Sequence, residues 1–194
     1  GEASIGSGVR RVEALVADGA YAYQAKEHLL VSQLTEILKV RPDELVDRVG
    51  SLVTKLKESD KALGALRGAQ LAQRVPALAQ SAKLVAGVRL VSAEVEGADA
   101  TELRNLASDV RSHLGEGEAA VVALGARDQA SGRGLVAIAA NDAAQAAGHK
   151  AGVLVGVASQ VLGGGGGGKP ALAQGGGADG SKLSAALAAV AAAL

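Results

Sequence analysis

The residues in this chain whose types and spacing could do chemistry cluster around glycine. Gly163, Gly164, Gly165, Gly166, Gly167 and Gly168 run unbroken into Lys169, and a shorter run, Gly175 to Gly177, follows Gln174. Backbone without side chains lets N–H groups come close to an anion or a nucleic-acid backbone, and Lys169 adds positive charge beside them. A nucleotide-hydrolysing loop is excluded by a single residue. Gly163, Gly168 and Lys169 fit the spacing of such a loop, but Pro170 stands where a Ser or Thr hydroxyl must hold magnesium. Composition alone fits a flexible linker equally well. Placement favours function, because the apolar stretch Ser181 to Leu194 is too short to stand as a module. The glycine segment is then a long loop inside one domain, and such loops usually carry function.

Other chemistry is sparse. His28, His113 and His149 fall on separate helical stretches, none with a second His or a Cys at ligand spacing, so solvated or packed histidines are the better reading. The carboxylates sit beside Lys or Arg on helical faces, as salt-bridged surface does. No catalytic centre and no metal site emerges. Base stacking is poorly served, since both tyrosines, Tyr21 and Tyr23, precede the glycine-rich half. Residues 127 to 182 hold Arg127, Arg133, Lys150, Lys169 and Lys182 against Asp128, Asp142 and Asp179. A shared basic patch there depends on folding; otherwise the set is scattered and solvated. The candidate site is Arg127, Arg133, Lys150 and Lys169 around the glycine loop; if it meets RNA, it meets backbone and not bases.

These groups need a scaffold. A chain of 194 residues can bury a core, and with 48% hydrophobic but only 1% aromatic residues that core must be close-packed Leu, Val and Ala. Twenty basic residues balance twenty acidic ones, so there is no bulk field for nucleic acid or anionic membrane. Cys is absent, which removes disulfides and thiolate chemistry. No apolar run reaches the roughly 18 residues of a membrane helix, and no signal segment opens the chain. A soluble cytoplasmic protein is the expectation. Met is absent even at position 1, which predicts that the chain is part of something longer.

Three regions are expected. Residues 1–8 are small and glycine-rich, like the frayed end of a preceding domain and not a structural start. Residues 9–76 read as a helical hairpin: Val12, Leu15 and Val16, then Tyr23, Leu30, Leu34 and Ile37 after a soft break at Asp18-Gly19, and a turn at Pro42, which suits a helix start. The second helix carries Leu45, Val49, Leu52, Leu56, Ser59, Leu63 and Leu66 at alternating spacings of four and three, a heptad seam. From Asp43 to about Arg74 it would be on the order of 45 to 50 Å long, too narrow-seamed to stand unpartnered. Leu45, Val49, Leu52, Leu56, Leu63 and Leu66 are therefore candidates for packing on the preceding helix or on a second copy.

Pro76 marks a hinge into residues 77–194. There Val88 to Glu96, Ala119 to Ala126 and Gly134 to Ala140 read as strands, the last two as a hairpin. Asp99 to Leu114 reads as a helix capped by Asp99 or Thr101. A helical stretch follows from Asn141, with Val153, Leu154, Val157 and Val161 forming an apolar face, and the last helix presents Leu183, Leu187, Val190 and Leu194. The fold class expected is α+β: a long antiparallel, coiled-coil-like helical hairpin, then a small domain with a short mixed or antiparallel sheet and a glycine-rich loop.

Gly163 to Gly177, GGGGGGKPALAQGGG, resembles the C-terminal signature of alanyl-tRNA synthetases, a glycine run, a basic residue, then Ala-Gln and more glycine. Ser4 to Ala14 is similar to the segment where their editing domain ends, and Leu38 to Leu45 (LKVRPDEL) resembles the turn of their connecting helices. The resemblance covers essentially the whole chain. It implies a non-catalytic C-terminal module of bacterial alanine–tRNA ligase, related to a domain associated with DHH phosphoesterases. The module would contact the elbow of tRNA for alanine, with Lys169, Gln174, Gly175, Gly176 and the other glycines carried over as site residues, and support dimerisation. ATP, Mg and Zn would serve domains outside this chain. One departure stands out: Ala171 lies where many members carry an acidic residue. Two other readings compete. A DHH-type phosphoesterase accessory domain should keep a His beside the glycine run, where Lys169 stands here. A purely structural coiled-coil protein would not have alternating strands after Pro76.

Overall fold

The structure, a computed structural model, describes residues 2–194. The chain divides into two units, Gly1–Leu63 and Gly64–Leu194, with the division inside one helix.

The first unit opens with an antiparallel ribbon of β1 (Glu2–Gly6) and β2 (Val9–Val12), in which Glu2 pairs with Val12 and Arg10 bonds Glu2 at 2.9 Å. This corrects the expectation of a frayed start, and of helix from Val9; Gly1 lies outside the described residues. Helix α1 (Asp18–Leu38) begins at Asp18, so Asp18-Gly19 starts the helix and does not interrupt it. Lys39 ends it in the left-handed conformation. A 3-10 turn at Pro42–Glu44 then leads into α2 (Leu45–Ala72), with the Arg41 N–H donating to the Glu44 carboxylate at 3.3 Å. The two consecutive helices are as expected, but the closed hairpin is not. Neither helix buries a side chain, and Leu52, Leu56, Leu63 and Leu66 remain 38%, 63%, 48% and 70% exposed. A stripe of Leu and Val every three or four residues is narrow, and only a partner along its whole length would cover it.

The second unit is built on one six-stranded sheet. Helix α3 (Val75–Gln80) takes Pro76 into its first turn, where a missing N–H costs nothing, so the expected hinge is a helix start. Strand β3 (Lys83–Val85), not expected from the sequence, turns through Ala86-Gly87 into β4 (Val88–Glu94). Helix α4 (Ala100–Leu114) is capped by Asp99, whose carboxylate accepts from the N–H groups of Thr101 and Glu102. Strands β5 (Ala120–Arg127) and β6 (Gly134–Ala140) form the expected hairpin. Then come α5 (Asp142–Ala146), α6 (Ala151–Val161), β7 (Gly164–Lys169), β8 (Leu172–Gly177) and α7 (Leu183–Ala192).

The strand order is β3-β4-β5-β6-β8-β7, parallel only between β4 and β5. The glycine segment is thus not a loop but the last two strands, a correction the composition concealed because glycine is depleted from strands. Successive side chains leave a strand on opposite faces. Val121, Ala123, Val136, Ile138 and Ala173 meet α6 and α7 on one face; Val91, Val122, Leu124, Ala137 and Ala139 meet α3 and α4 on the other. The buried side of α6 is Ala151, Leu154, Val155, Ala158 and Ser159, whereas Val153, expected inside, is 64% exposed. A helix this apolar gives no amphipathic contrast from which its face could be read.

Asn141 ties the layers together. Buried at 1% exposure, it accepts at Oδ1 from the N–H groups of Ala120 and Ala144 and donates from Nδ2 to the carbonyls of Gly115 and Glu118.

Candidate nucleic-acid interface: a glycine-floored trough

The glycine strands have two different faces. Towards α6, Gly166 and Gly175 sit over Ser159, and a Cβ on Gly166 would lie 2.7 Å from Ser159 Oγ. A Cβ on Gly152 of α6 would in turn lie 3.2 Å from the Gly168 carbonyl. Helix and strands approach this closely only without side chains between them. Gly163, which carries φ +73, makes the turn from α6 into β7.

Towards α4 the requirement disappears along β7, although a Cβ on Gly176 of β8 would still collide with the Gly134 carbonyl oxygen. Cβ atoms on Gly165 and Gly167 would meet nothing within 4 Å. Register places Gly165 opposite Gly176 and Gly167 opposite Gln174, on the same face as Ala137 and Leu172. Helix α4 covers β5 and β6 and reaches β8, while every residue of β7 remains exposed. The result is a concavity of about 450 Å³ between the α4 start and the edge of the sheet. Gly163, Gly164, Gly165, Gly175 and Gly176 form its floor with Gln174, and Arg133 stands at one end. Backbone makes up most of that floor, so a ligand would meet amides and one carboxamide.

The four basic residues expected around the glycines do not gather at one place. Arg127 and Arg133 belong to one end, where Gly134 pairs with both Arg127 and Gly177, and Gly177 pairs with Gly164. Lys150 and Lys169 belong to the other, where the Ala151 N–H donates to the Pro170 carbonyl at 2.8 Å. A strand of six residues separates these ends by roughly 17 Å. Of the four, Arg133 lines the trough, and Lys169 shares its face through pairing with Leu172. Arg127 lines a neighbouring concavity of about 510 Å³ with Arg67. Lys150 precedes α6, which packs on the opposite face of the sheet.

Around Arg133 the turn is ordered. Asp128 accepts from Ser131 Oγ and from the Ala130 N–H, and these bonds, with the nearby Arg133 charge, hold its carboxyl below the usual value. At the start of α7, Asp179 accepts from Ser181 and pairs with Lys182 at 3.0 Å, which lowers its pKa to about 2. Both carboxylates have their oxygens engaged within their own turns. Among the described residues no group of three or more His, Asp or Glu could hold a metal ion, and no helix is long and apolar enough to cross a membrane.

Sequence reasoning missed Ser159, the contact beneath the glycines. Its signal was present: Gly152 and Ser159, two turns apart on one side of α6, are small residues of the kind that allow a close approach.

The chain is 52% identical to the alanine–tRNA ligase of Bifidobacterium longum (strain NCC 2705) over 188 residues, 96% of this chain and 21% of that protein. It is 49% identical to the alanine–tRNA ligase of Kineococcus radiotolerans over 186 residues, again 96% of the chain and 21% of the relative. The chain thus spans about a fifth of the length of these relatives. Among solved structures, the C-Ala domain from Aquifex aeolicus alanyl-tRNA synthetase superposes with a TM-score of 0.50 at 26% identity, over 58% of this chain and 96% of that one. The DHHA1 domain model matches residues 87–194, which contain β4 to α7 and the whole trough. By that match, over more than half its length, the chain belongs to the DHHA1 domain family.

Proposed function

We propose that this chain is the C-terminal part of an alanine–tRNA ligase and that its glycine-floored trough holds the backbone of tRNA for alanine at the elbow. The observation that carries this reading is the open face of β7. Gly165 and Gly167 have no packing partner that would exclude a side chain, yet they carry none. A floor of bare backbone beside Arg133, Gln174 and Lys169 suits a sugar-phosphate chain, with charge supplying affinity and position but no base readout. The catalytic steps, with ATP, Mg and the Zn of editing, would belong to parts of the ligase outside this chain. No membrane enters the reading, and the cytoplasm is the matching compartment.

The test is binding of the full chain to tRNA for alanine at two salt concentrations, with a tRNA lacking its elbow loops as control. Binding that depends on the elbow and weakens in Lys169→Ala and Gly165→Val supports the site. Equal binding of both RNAs, or variants that behave as the parent, would remove it.

A second reading concerns α2 and is favoured by the exposure of Leu52, Leu56, Leu63 and Leu66. A heptad seam left open in one copy is suited to another copy, and Leu45 and Val49 would extend it. Sedimentation of the full chain should then show concentration-dependent dimers, abolished by Leu56→Glu. A monomer at all concentrations would discard this role.

A further inference from the structure

The charges of α4 are divided between its two sides. Arg104 lies four residues beyond Ala100, and Arg111 seven beyond Arg104, spacings that keep all three on one side of the helix. That is the trough side, since Ala100 and Leu103 line the concavity. Glu102 and Asp109, also seven apart, line the opposite side, in a groove with Gly64, Gly68 and Leu71. The separation of cations from carboxylates is therefore complete along this helix, apart from Asp99 at its cap and His113 in its last turn.

The direction of α4 sets where each arginine falls. Its start is at the Gly163–Gly165 end of the trough. Its end lies towards the Lys169–Leu172 end of the glycine strands, beyond the lining of the concavity, because Asn141 bonds the Gly115 carbonyl directly after Ala140, and the adjacent Ala139 pairs with Leu172. From one end to the other the order is Arg133, Arg104, Arg111 and Lys169. Among the described residues Arg104, Arg111 and Lys169 form no ion pair, and the buried Nε of Arg111 has no hydrogen-bond acceptor. A guanidinium with no carboxylate partner is suited to a phosphate, which accepts two parallel bonds; the enclosed Arg111 Nε is out of a ligand's reach and leaves this to the terminal nitrogens.

We propose that Arg104 and Arg111 form a second line of cations, so that a ribose-phosphate backbone lies lengthwise in the trough between α4 and β7. This rests on the reading of the trough as an RNA site and adds the axis of the RNA and two residues that hold it. Arg133 and Lys169 contact the ends of the bound segment, and the two α4 arginines contact it along one wall.

The experiment measures affinity of the full chain for tRNA for alanine across a series of salt concentrations. The variants are R104Q, R111Q, R111K, K169Q, R133Q and K83Q, the last removing a charge from β3 at the far edge of the sheet. A variant that no longer neutralises one phosphate should show a slope of log affinity against log salt lowered by about 0.7 to 0.9. R104Q and R111Q are expected to show this drop, R111K to retain most of the parent slope, and K83Q to be unchanged. Arg104 is exposed, so R104Q reports even if R111Q folds poorly. If R104Q and R111Q match K83Q while K169Q and R133Q still lower the slope, the α4 line is wrong and the trough stands. If K169Q and R133Q also match K83Q, or the chain binds no tRNA, both fall.

Discussion

Ser159 of α6 lies directly against Gly166 of β7, so that a Cβ on the glycine would stand 2.7 Å from the serine Oγ and 2.8 Å from the Cα of Gly175. One residue along the same strand, a Cβ on Gly165 would meet nothing within 4 Å. Neighbouring glycines of one run therefore have unlike surroundings, one packed and one open.

The contrast can be measured by two alanine substitutions. Gly166→Ala forces the backbone of β8 or the α6 contact to move and should cost about 1–3 kcal/mol, as overpacking does. Gly165→Ala should leave stability unchanged or raise it by about 0.4–1 kcal/mol, since the unfolded chain loses freedom and the folded one loses nothing. Chemical denaturation of both variants decides the matter; equal losses would contradict the two-faced description of β7.

Ser159 itself is fully buried and its hydroxyl has no hydrogen-bond partner. Burying an unsatisfied hydroxyl costs on the order of 1–3 kcal/mol, and alanine removes it without adding bulk beneath the glycines. Ser159→Ala should therefore raise the unfolding free energy by about 1 kcal/mol. A clear fall in stability would mean that the hydroxyl makes a compensating contact, with glycine Cα–H groups as the nearest candidates.

Asn141 satisfies two amide N–H groups and two carbonyls with one side chain. Asn141→Ala leaves those groups short of partners inside the fold and should cost about 2–4 kcal/mol. Asn141→Asp should recover the contacts to Ala120 and Ala144 but not the donated ones, because a carboxylate offers no N–H. Thermal melts ranking parent above both variants are the expected result.

Asp179 gives a pH signature. Its folded-state pKa is lowered from 3.8 to about 2, first by the Ser181 hydroxyl, then by Lys182 and the Ser181 N–H. A depressed carboxylate pKa stabilises the fold above its unfolded value, and that contribution fades as pH falls from about 4 through about 2. Asp179→Asn should lack this step while the parent shows it. Carboxyl resonances followed by NMR would locate the midpoint, and one near the ordinary carboxylate value would discard the capping role.

Much of the architecture was legible because it depends on local pattern. Asp99 announced α4 through its cap, the apolar runs Ala119 to Ala126 and Gly134 to Ala140 on either side of a polar turn announced β5 and β6, and Leu183, Leu187 and Val190 announced the buried side of α7. The resemblance carried by Gly163 to Gly177 pointed to the family without any knowledge of packing. β1 and β2 were not legible: the stretch is small and polar, and a two-stranded ribbon buries nothing that would leave a pattern.

The candidate site divides along the same line. Sequence by itself determined which residues could act, a run of bare backbone with Lys169, Gln174 and Arg133 near it and no stacking aromatic, because side-chain chemistry is a property of residue type. Only the tertiary structure decided where they lie. It turned the run into two paired strands, because α6 can approach them only where there is no Cβ. It separated Lys150 and Arg127 from the trough, since strand register assigns each side chain a face. It also brought α4, distant in sequence, alongside β8, so that the side of the helix carrying Arg104 and Arg111 falls towards the glycine strands, a placement that no local pattern contains.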